Sequence, residues 1–385
     1  MVDVPNLGGG GVNEATFAPK FSIAVAGTVV DDNIKPFVRY VDYESTDGMA
    51  DVFHLRCVNP ESVISNAKIF QPGNEASLFG GYKEPLTHIG RTIIQKAIPF
   101  FPESGEPTLS VIGYTKDSVL GDNSPEKSKQ RRFADHKYSD AVREIATRYG
   151  MEIKINPTPD KPHDFIQRVG VSDYEFVQGL ANTTGYTFWV DGDEKGVWTL
   201  HFRDPDTLVE QDKKYTFRYN DGDNSSLLSF RPELLIKGSK TKIKVVVKDR
   251  KNGKVIKVEV EEENNAAPDI EVLGDPDSEV NGEFTSGSDI KLFFGNFSFD
   301  VISGKRFKDE EEARFWAEQW FRKTRENFVM ASGSCIGTET LMARQKHKIE
   351  NTSKPYDGEY YFSKVKHIFG ENGYKCNFSC RRLVP

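Results

Sequence analysis

Cysteine is scarce in this sequence: Cys57, Cys335, Cys376 and Cys380 are the four among 385 residues, with no CxxC spacing. A chain this long buries enough apolar surface to fold without covalent staples, so the thiols read as reduced residues of a protein made in a cytoplasm. Cys376 and Cys380 share a face of a strand-like run but lie too far apart along it for a local bridge. Long apolar runs are missing as well. No segment approaches the roughly 18 consecutive apolar residues of a membrane helix. The N-terminus carries Gly8 to Gly11 where an export signal would have a basic stretch and an apolar core, so a flexible tail without a cleaved signal is expected. Nor is there a basic excess: the net charge of −7 and pI near 5.7 argue against a dedicated nucleic-acid binder. Hydrophobic content is low at 37%, yet aromatics reach 12%, a balance that suits half-buried pleated surfaces and leans the fold towards β.

The motifs of chemistry are also absent. There is no HExxH, and the seven histidines are scattered. His347, His367, Cys335, Cys376 and Cys380 show no ligand spacing, so no metal is expected. No G-x-S-x-G elbow occurs, and "SGSCIG" around Cys335 reads as a buried strand cysteine rather than a nucleophile. Gly8 to Gly11 lacks the Lys-Ser/Thr of a phosphate loop. A glycosidase needs two carboxylates at a set separation, and 58 Asp and Glu offer no way to choose a pair. Most of them fall at caps, turns or exposed faces. No catalytic, cofactor-binding or metal-binding residue is therefore assigned, and a cell-wall hydrolase stands as the enzymatic alternative.

What is present is a run of strand signals. "FSIAVAGTVV", "FVRYVDYES", "ADVFHLRCVNP", Arg91 to Ala97 and Thr108 to Tyr114 alternate apolar and polar positions between polar turns, which predicts a small barrel or sandwich. After the polar loop 117–132 the period changes. "KYSDAVREIATRYG" predicts a helix capped by Ser139 and ended by Gly150; Val142, Ile145, Ala146 and Tyr149 form its apolar stripe. "VSDYEFVQGLANTTG" predicts a second helix: Ser172 and Glu175 make a capping box, Val171 and Phe176 a hydrophobic staple, and Gly185 ends it. "YTFWV" and "VWTLHF" complete a hairpin, so residues 133–205 read as a compact α+β unit.

The chain then returns to strands. Lys240 to Lys248 and Lys254 to Glu261 flank an Asn252-Gly253 turn, a strong hairpin signal. Lys242, Lys244 and Lys248 share one face opposite Ile243, Val245 and Val247. The plain reading is a solvated edge strand guarded by lysine; the sharper one is contact with an acidic partner subunit or with passing nucleic acid, weakened by the acidic run Glu259 to Glu263. Residues 262–289 read as a long acidic loop. A helix is predicted over 309–327, capped by Asp309 and Glu312, with Trp316 and Trp320 on one face. Core packing is the default for that pair, and anchoring at a subunit contact the alternative. "GEYYFSKVKHIFG", an Asn372-Gly373 turn and "YKCNFSCRRL" close the chain as a long hairpin. In its first strand Tyr361, Ser363, Val365 and His367 are expected to face away from Tyr360, Phe362, Lys364 and Lys366.

The stretch "YSDAVREIATRYGMEIKI", "DFIQRVGVSDYEFVQGLANTTGYTFWV", "GVWTLHF" resembles the late control D family of phage tail proteins, which includes contractile-tail baseplate hubs and the hub portion of VgrG spikes. Gln167, Ser172, Asp173, Phe176, Leu180, Ala181, Gly185 and Tyr186 occupy the family's central pattern. Gly358, Tyr360, Val365 and His367 occupy that of its closing hairpin. The likeness touches roughly 60% of the chain; the usual strand before the last hairpin is poorly matched around Gly337 to Lys348, and the insertion has no counterpart. It implies a mainly β protein with two tail-tube-like β-barrels, a small α+β domain and an inserted segment. The expected units are a flexible tail 1–18, a first barrel 19–115, the α+β domain 116–205, a second barrel from 206–237 and 328–385, and an insertion 238–327. It further implies a homotrimeric pseudo-sixfold ring in the tail baseplate of a virion, synthesised in the host cytoplasm. The implied partners are a tail tube protein, a central spike protein and other baseplate subunits, with DNA only in transit and no membrane insertion. A secretion-type injection machine is the other setting the family offers.

Overall fold

Alternating apolar positions with tight turns between them do produce strands, and these assemble into a protein that is mainly β. The computed structural model describes residues 18–30, 34–121, 130–209, 214–234, 242–249, 255–261, 299–302, 306–307, 310–325, 329–353, 356–371 and 373–382. The first block contains β1 (Lys20–Val25), β2 (Thr28–Val29), β3 (Val38–Thr46), β4 (Val52–Val58), β5 (Glu75–Gly81), β6 (Thr87–Phe100) and β7 (Thr108–Tyr114). The α+β part follows with β8 (Arg131–His136), α1 (Tyr138–Arg148), β9 (Glu152–Ile155), β10 (His163–Gln167), α2 (Asp173–Thr184), β11 (Thr187–Gly192) and β12 (Trp198–Arg203). Next come β13 (Thr216–Arg218) and β14 (Leu227–Leu234). The inserted stretch holds β15 (Lys242–Asp249), β16 (Val255–Glu261), β17 (Phe299–Ile302), β18 (Arg306–Phe307) and α3 (Glu310–Arg325). The last strands are β19 (Val329–Ile336), β20 (Gln345–Glu350), β21 (Gly358–Gly370) and β22 (Gly373–Arg382).

Among the described residues, thirteen strands form one sheet. Its order is β14-β19-β22-β21-β3-β4-β7-β6-β5-β1-β2, with β20 branching from β21 and β13 pairing with β20. The strands from the two ends of the chain are thus fused where β21 meets β3. One apolar cluster lies against them all, from Ile23, Val41, Tyr43 and Leu55 to Phe217, Phe362, Val365 and Phe378. Full burial of each such side chain contributes about 1.5–3 kcal/mol. Two close approaches demand glycine: a Cβ on Gly90 would stand 2.2 Å from the Tyr43 ring, and one on Gly337 would stand 2.1 Å from Tyr374.

The closing hairpin departs from simple alternation. The register slips between Phe362 and Lys364 across β22, so Ser363 is an extra residue in β21. Tyr360 and Phe362 on one side of this bulge, and Val365 and His367 on the other, are consequently all buried. The expected opposition of these two pairs is therefore corrected.

The α+β part has its own core, built from Val142, Ile145, Val177, Leu180, Phe188, Leu200 and Phe202. Ser172 caps α2 as predicted: its Oγ accepts from Glu175 N at 3.2 Å, and Ser172 N donates to the Glu175 carboxylate at 2.8 Å. Gly185 ends α2 at φ +73°. Ser139 does not cap α1. The helix starts two residues earlier, after Lys137, whose N donates to Asp140 at 3.2 Å, while Ser139 N donates to Thr158 Oγ1. A second acceptor within reach of the first turn displaces the expected cap.

Candidate functional site

The α+β part is joined to the large sheet by buried polar contacts that no local sequence signal marks. Arg344, in the turn before β20, has φ +69° and a side chain 5% exposed. Its Nη2 donates to Asp51 Oδ1 at 2.8 Å and its Nη1 to Thr46 O at 2.9 Å. Its guanidinium lies 4.8 Å above the Trp189 ring of β11, and the other side of this network continues through His201, stacked on Trp189 at 4.4 Å. Trp189 Nε1 donates to Asp191, whose carboxylate is 2.9 Å from His201 Nε2. A left-handed conformation at a non-glycine residue costs on the order of 1–3 kcal/mol, and here the bonds at the guanidinium hold it in place.

Asp51 accepts from Tyr43 Oη at 3.2 Å and from Thr46 N at 3.2 Å. Its own amide donates to Thr115 Oγ1 at 2.8 Å, and Thr115 in turn donates to Asp117 Oδ1 at 2.8 Å. Nearby, Tyr361 Oη donates to Asp47 at 2.9 Å, and Thr187 of β11 donates to the same carboxylate. Trp198 Nε1 donates to Glu75, which also pairs with Arg91 at 2.7 Å; Tyr174 Oη of α2 donates to Gly48 O. Burial raises the Asp51 carboxyl, and Arg344 pulls it back only in part. Burial pushes Asp117 up to about 7, against the Thr115 bond that favours its charged form.

A second feature is the sheet face away from the apolar cluster. Register aligns Ser229, Ser334, Asn377, Lys366 and Glu44 in one row across β14, β19, β22, β21 and β3. A neighbouring row runs Lys375, Ile368, Asp42, His54, Ile112 and Lys96 from β22 to β6. Lys364 pairs with Glu44 at 2.7 Å and Lys366 with Asp42 at 3.2 Å. At about 4.8 Å between strands, the six strands of the second row span about 24 Å. The face is polar along most of that distance.

The residues singled out in the sequence are placed as follows. Lys242 and Lys244 stand opposite Glu261 and Glu259 of β16, while Lys248 stands opposite Val255. Two of the three lysines thus stand in register with a glutamate of the neighbouring strand. Val245 and Val258 are buried, and α3 packs on this hairpin with Ala313, Trp316 and Ala317 buried. Trp316 is 4% exposed and serves that packing. Trp320 lies one turn further along α3. The acidic loop 262–289 and the Asp309 cap fall outside the described residues.

Cys335, Cys376 and His367 are brought together: Cys376 faces Cys335 across β19 and His367 across β21, and its Sγ lies 3.5 Å from His367 Nδ1. His367 is satisfied by Tyr374 Oη at 2.7 Å and Leu341 O at 2.6 Å. All four cysteines are free and buried. Among the described residues no group of three His, Cys, Asp or Glu side chains is arranged to hold a metal ion, and no helix is long and apolar enough to cross a membrane.

Residues 58–371 match the family described as Alg8 N-terminal domain. No curated protein matches the chain in sequence. Among solved structures, the 43 kDa tail protein of prophage MuSo2 from Shewanella oneidensis is 14% identical, with a TM-score of 0.66 over 95% of this chain and 98% of that one. A tail protein from Neisseria meningitidis MC58 is 11% identical, with a TM-score of 0.66 over 95% and 97%. The E. coli c3393 protein, described as a component of the type VI secretion system, is 10% identical, with a TM-score of 0.55 over 94% and 76%. At these identities the likeness establishes the fold, which is that of phage tail proteins and of their secretion-system counterparts.

Proposed function

Since the chain belongs to the Alg8 N-terminal domain family and has the fold of phage tail proteins, we propose that it is a non-enzymatic baseplate hub of a contractile tail. The observation that carries this reading is end-to-end agreement: the fold matches nearly all of this chain and nearly all of two tail proteins. In this reading residues 19–115 form one tube-like unit, and 206–237 with 328–385 form another. The α+β domain covers 116–205 and the insertion 238–327. Three copies make a ring in which two similar units per chain give six near-equivalent positions. The ring joins the tail tube to the central spike at the virion baseplate, and DNA or effectors pass through it. The mostly polar face that crosses the β21–β3 seam supports this role, because a lining must offer water and cargo a surface without a large apolar patch. The lysine hairpin is the contact we propose for a neighbouring baseplate subunit. A hub in a secretion-type machine is the second reading, supported by the fold of the E. coli secretion component.

The test is assembly. Light scattering of the purified chain is expected to give a species of about three times the 43.4 kDa of one chain that grows in mass when its spike is added, and negative-stain images a ring with a hole. A strict monomer that does not respond to added spike would overturn the proposal. Muralytic activity on peptidoglycan that disappears with one carboxylate substitution would favour the hydrolase instead.

A further inference from the structure

We propose that the junction between the large sheet and the α+β part is a proton-dependent latch, closed by a proton on Asp117 and loosened when that proton leaves. Asp51 and Asp117 are both buried, and a single threonine hydroxyl, Thr115 Oγ1, touches both residues. The buried cation beside them, Arg344, gives its guanidinium to Asp51, at 2.8 Å. Two buried carboxylates with one cation leave a negative charge out of water, which is costly unless a proton neutralises it. Asp117 is the carboxylate without the guanidinium, so it holds the proton; its shift to about 7 agrees with that assignment.

Position turns this proton into a coupling. Asp117 lies in the 3-10 turn Lys116–Leu120, and that turn packs against both α2 and β11. The charged and titratable groups facing it are Asp51 and Arg344 from the sheet side and Tyr174 from α2. Tyr43 hydrogen-bonds Asp51 from beneath, and Asp191 with His201 completes the network along β11 and β12. An ionised Asp117 can regain water only if α2 and β11 lift from the turn. That motion breaks the contacts at Gly48, Asp47 and Trp189 which seat the α+β part.

The sign follows from linkage. The folded state holds the Asp117 proton more tightly than the unfolded chain does, so its contribution to stability falls as pH rises from the ordinary carboxylate range to about 7, and is level above that. The experiment compares the full-length protein with Asp117→Asn by thermal melting between pH 5 and 8.5, together with hydrogen exchange of 44–51 and 185–191 corrected for the intrinsic effect of pH. The parent is expected to lose melting temperature relative to the variant as pH rises from 5, the loss levelling off near 7, and to lose protection in both segments over the same interval. Titrating groups away from Asp117 are common to the two proteins and cancel in the difference, which leaves Asp117 and its coupling to Asp51 and Tyr174. Parallel melting curves, or protection that does not change with pH, would sink the idea. Should Asp117→Asn fail to fold, Thr115→Val removes the donor to the carboxylate and is expected to move the pH at which the loss of protection levels off upwards. An unmoved levelling-off point there also overturns the proposal.

Discussion

Arg344 shows how much of this molecule rests on single side chains far apart in sequence. Its carboxylate partner, Asp51, lies 293 positions away, and both are almost fully buried. Removing one member of such a pair strands the other, at a cost of about 3–5 kcal/mol, whereas replacing both with uncharged groups costs much less. Arg344→Met is therefore expected to destabilise by about that amount in urea unfolding, and Asp51→Asn in the same chain to recover a large part of it. Equal and additive losses would show that the two side chains act independently. Nothing in the residues around Arg344 announces this role, because the local sequence is an ordinary polar turn. His347, by contrast, is held near 4 by burial, with Lys214 adding to the effect, and its Nδ1 accepts from Tyr215 N at 3.1 Å, so it remains neutral at physiological pH.

At the level of elements, legibility depends on how local the deciding contact is. The Ser172 cap was readable because donor and acceptor lie three residues apart, and the geometry at 3.2 Å and 2.8 Å follows directly. Ser172→Ala is expected to cost about 1 kcal/mol in chemical denaturation, and Glu175→Gln less, since the amide still reaches back to the cap. A loss below a few tenths for Ser172→Ala would mean that the helix is held by packing alone. The β21 bulge had no such signature. Whether Ser363 is an extra residue is decided by its partner strand β22, so the pattern of β21 alone predicted an alternation that the paired hairpin does not keep. Ser139 failed as a cap for a related reason: Thr158, nineteen residues on, supplies the competing acceptor.

The whole molecule is divided by cores rather than by strand count. A single apolar cluster serves strands from both ends of the chain, and a separate one serves the α+β part. Residues 130–209 expressed alone are accordingly expected to give dispersed NMR spectra and a cooperative melt. Residues 18–121 alone leave β3 without its β21 partner over Val41–Thr46 and expose half of the shared cluster, so aggregation or loss of tertiary signal is expected. A well-folded 18–121 fragment would show that the seam is a contact between two independent units.

By itself, the sequence determined the β-rich class, the α+β part with its capped helix, the paired strands of the hairpins and the lack of chemical motifs. Each of these is set by periodicity, composition or contacts within a few residues. The resemblance in the central stretch extended that to the tail-protein fold. Tertiary structure alone decided that strands from the two ends share one sheet, that Cys335, Cys376 and His367 converge, and that Asp51, Asp117 and Arg344 meet at a junction. Those outcomes depend on pairing across hundreds of residues, where burial and charge compensation act between segments that carry no mark of one another.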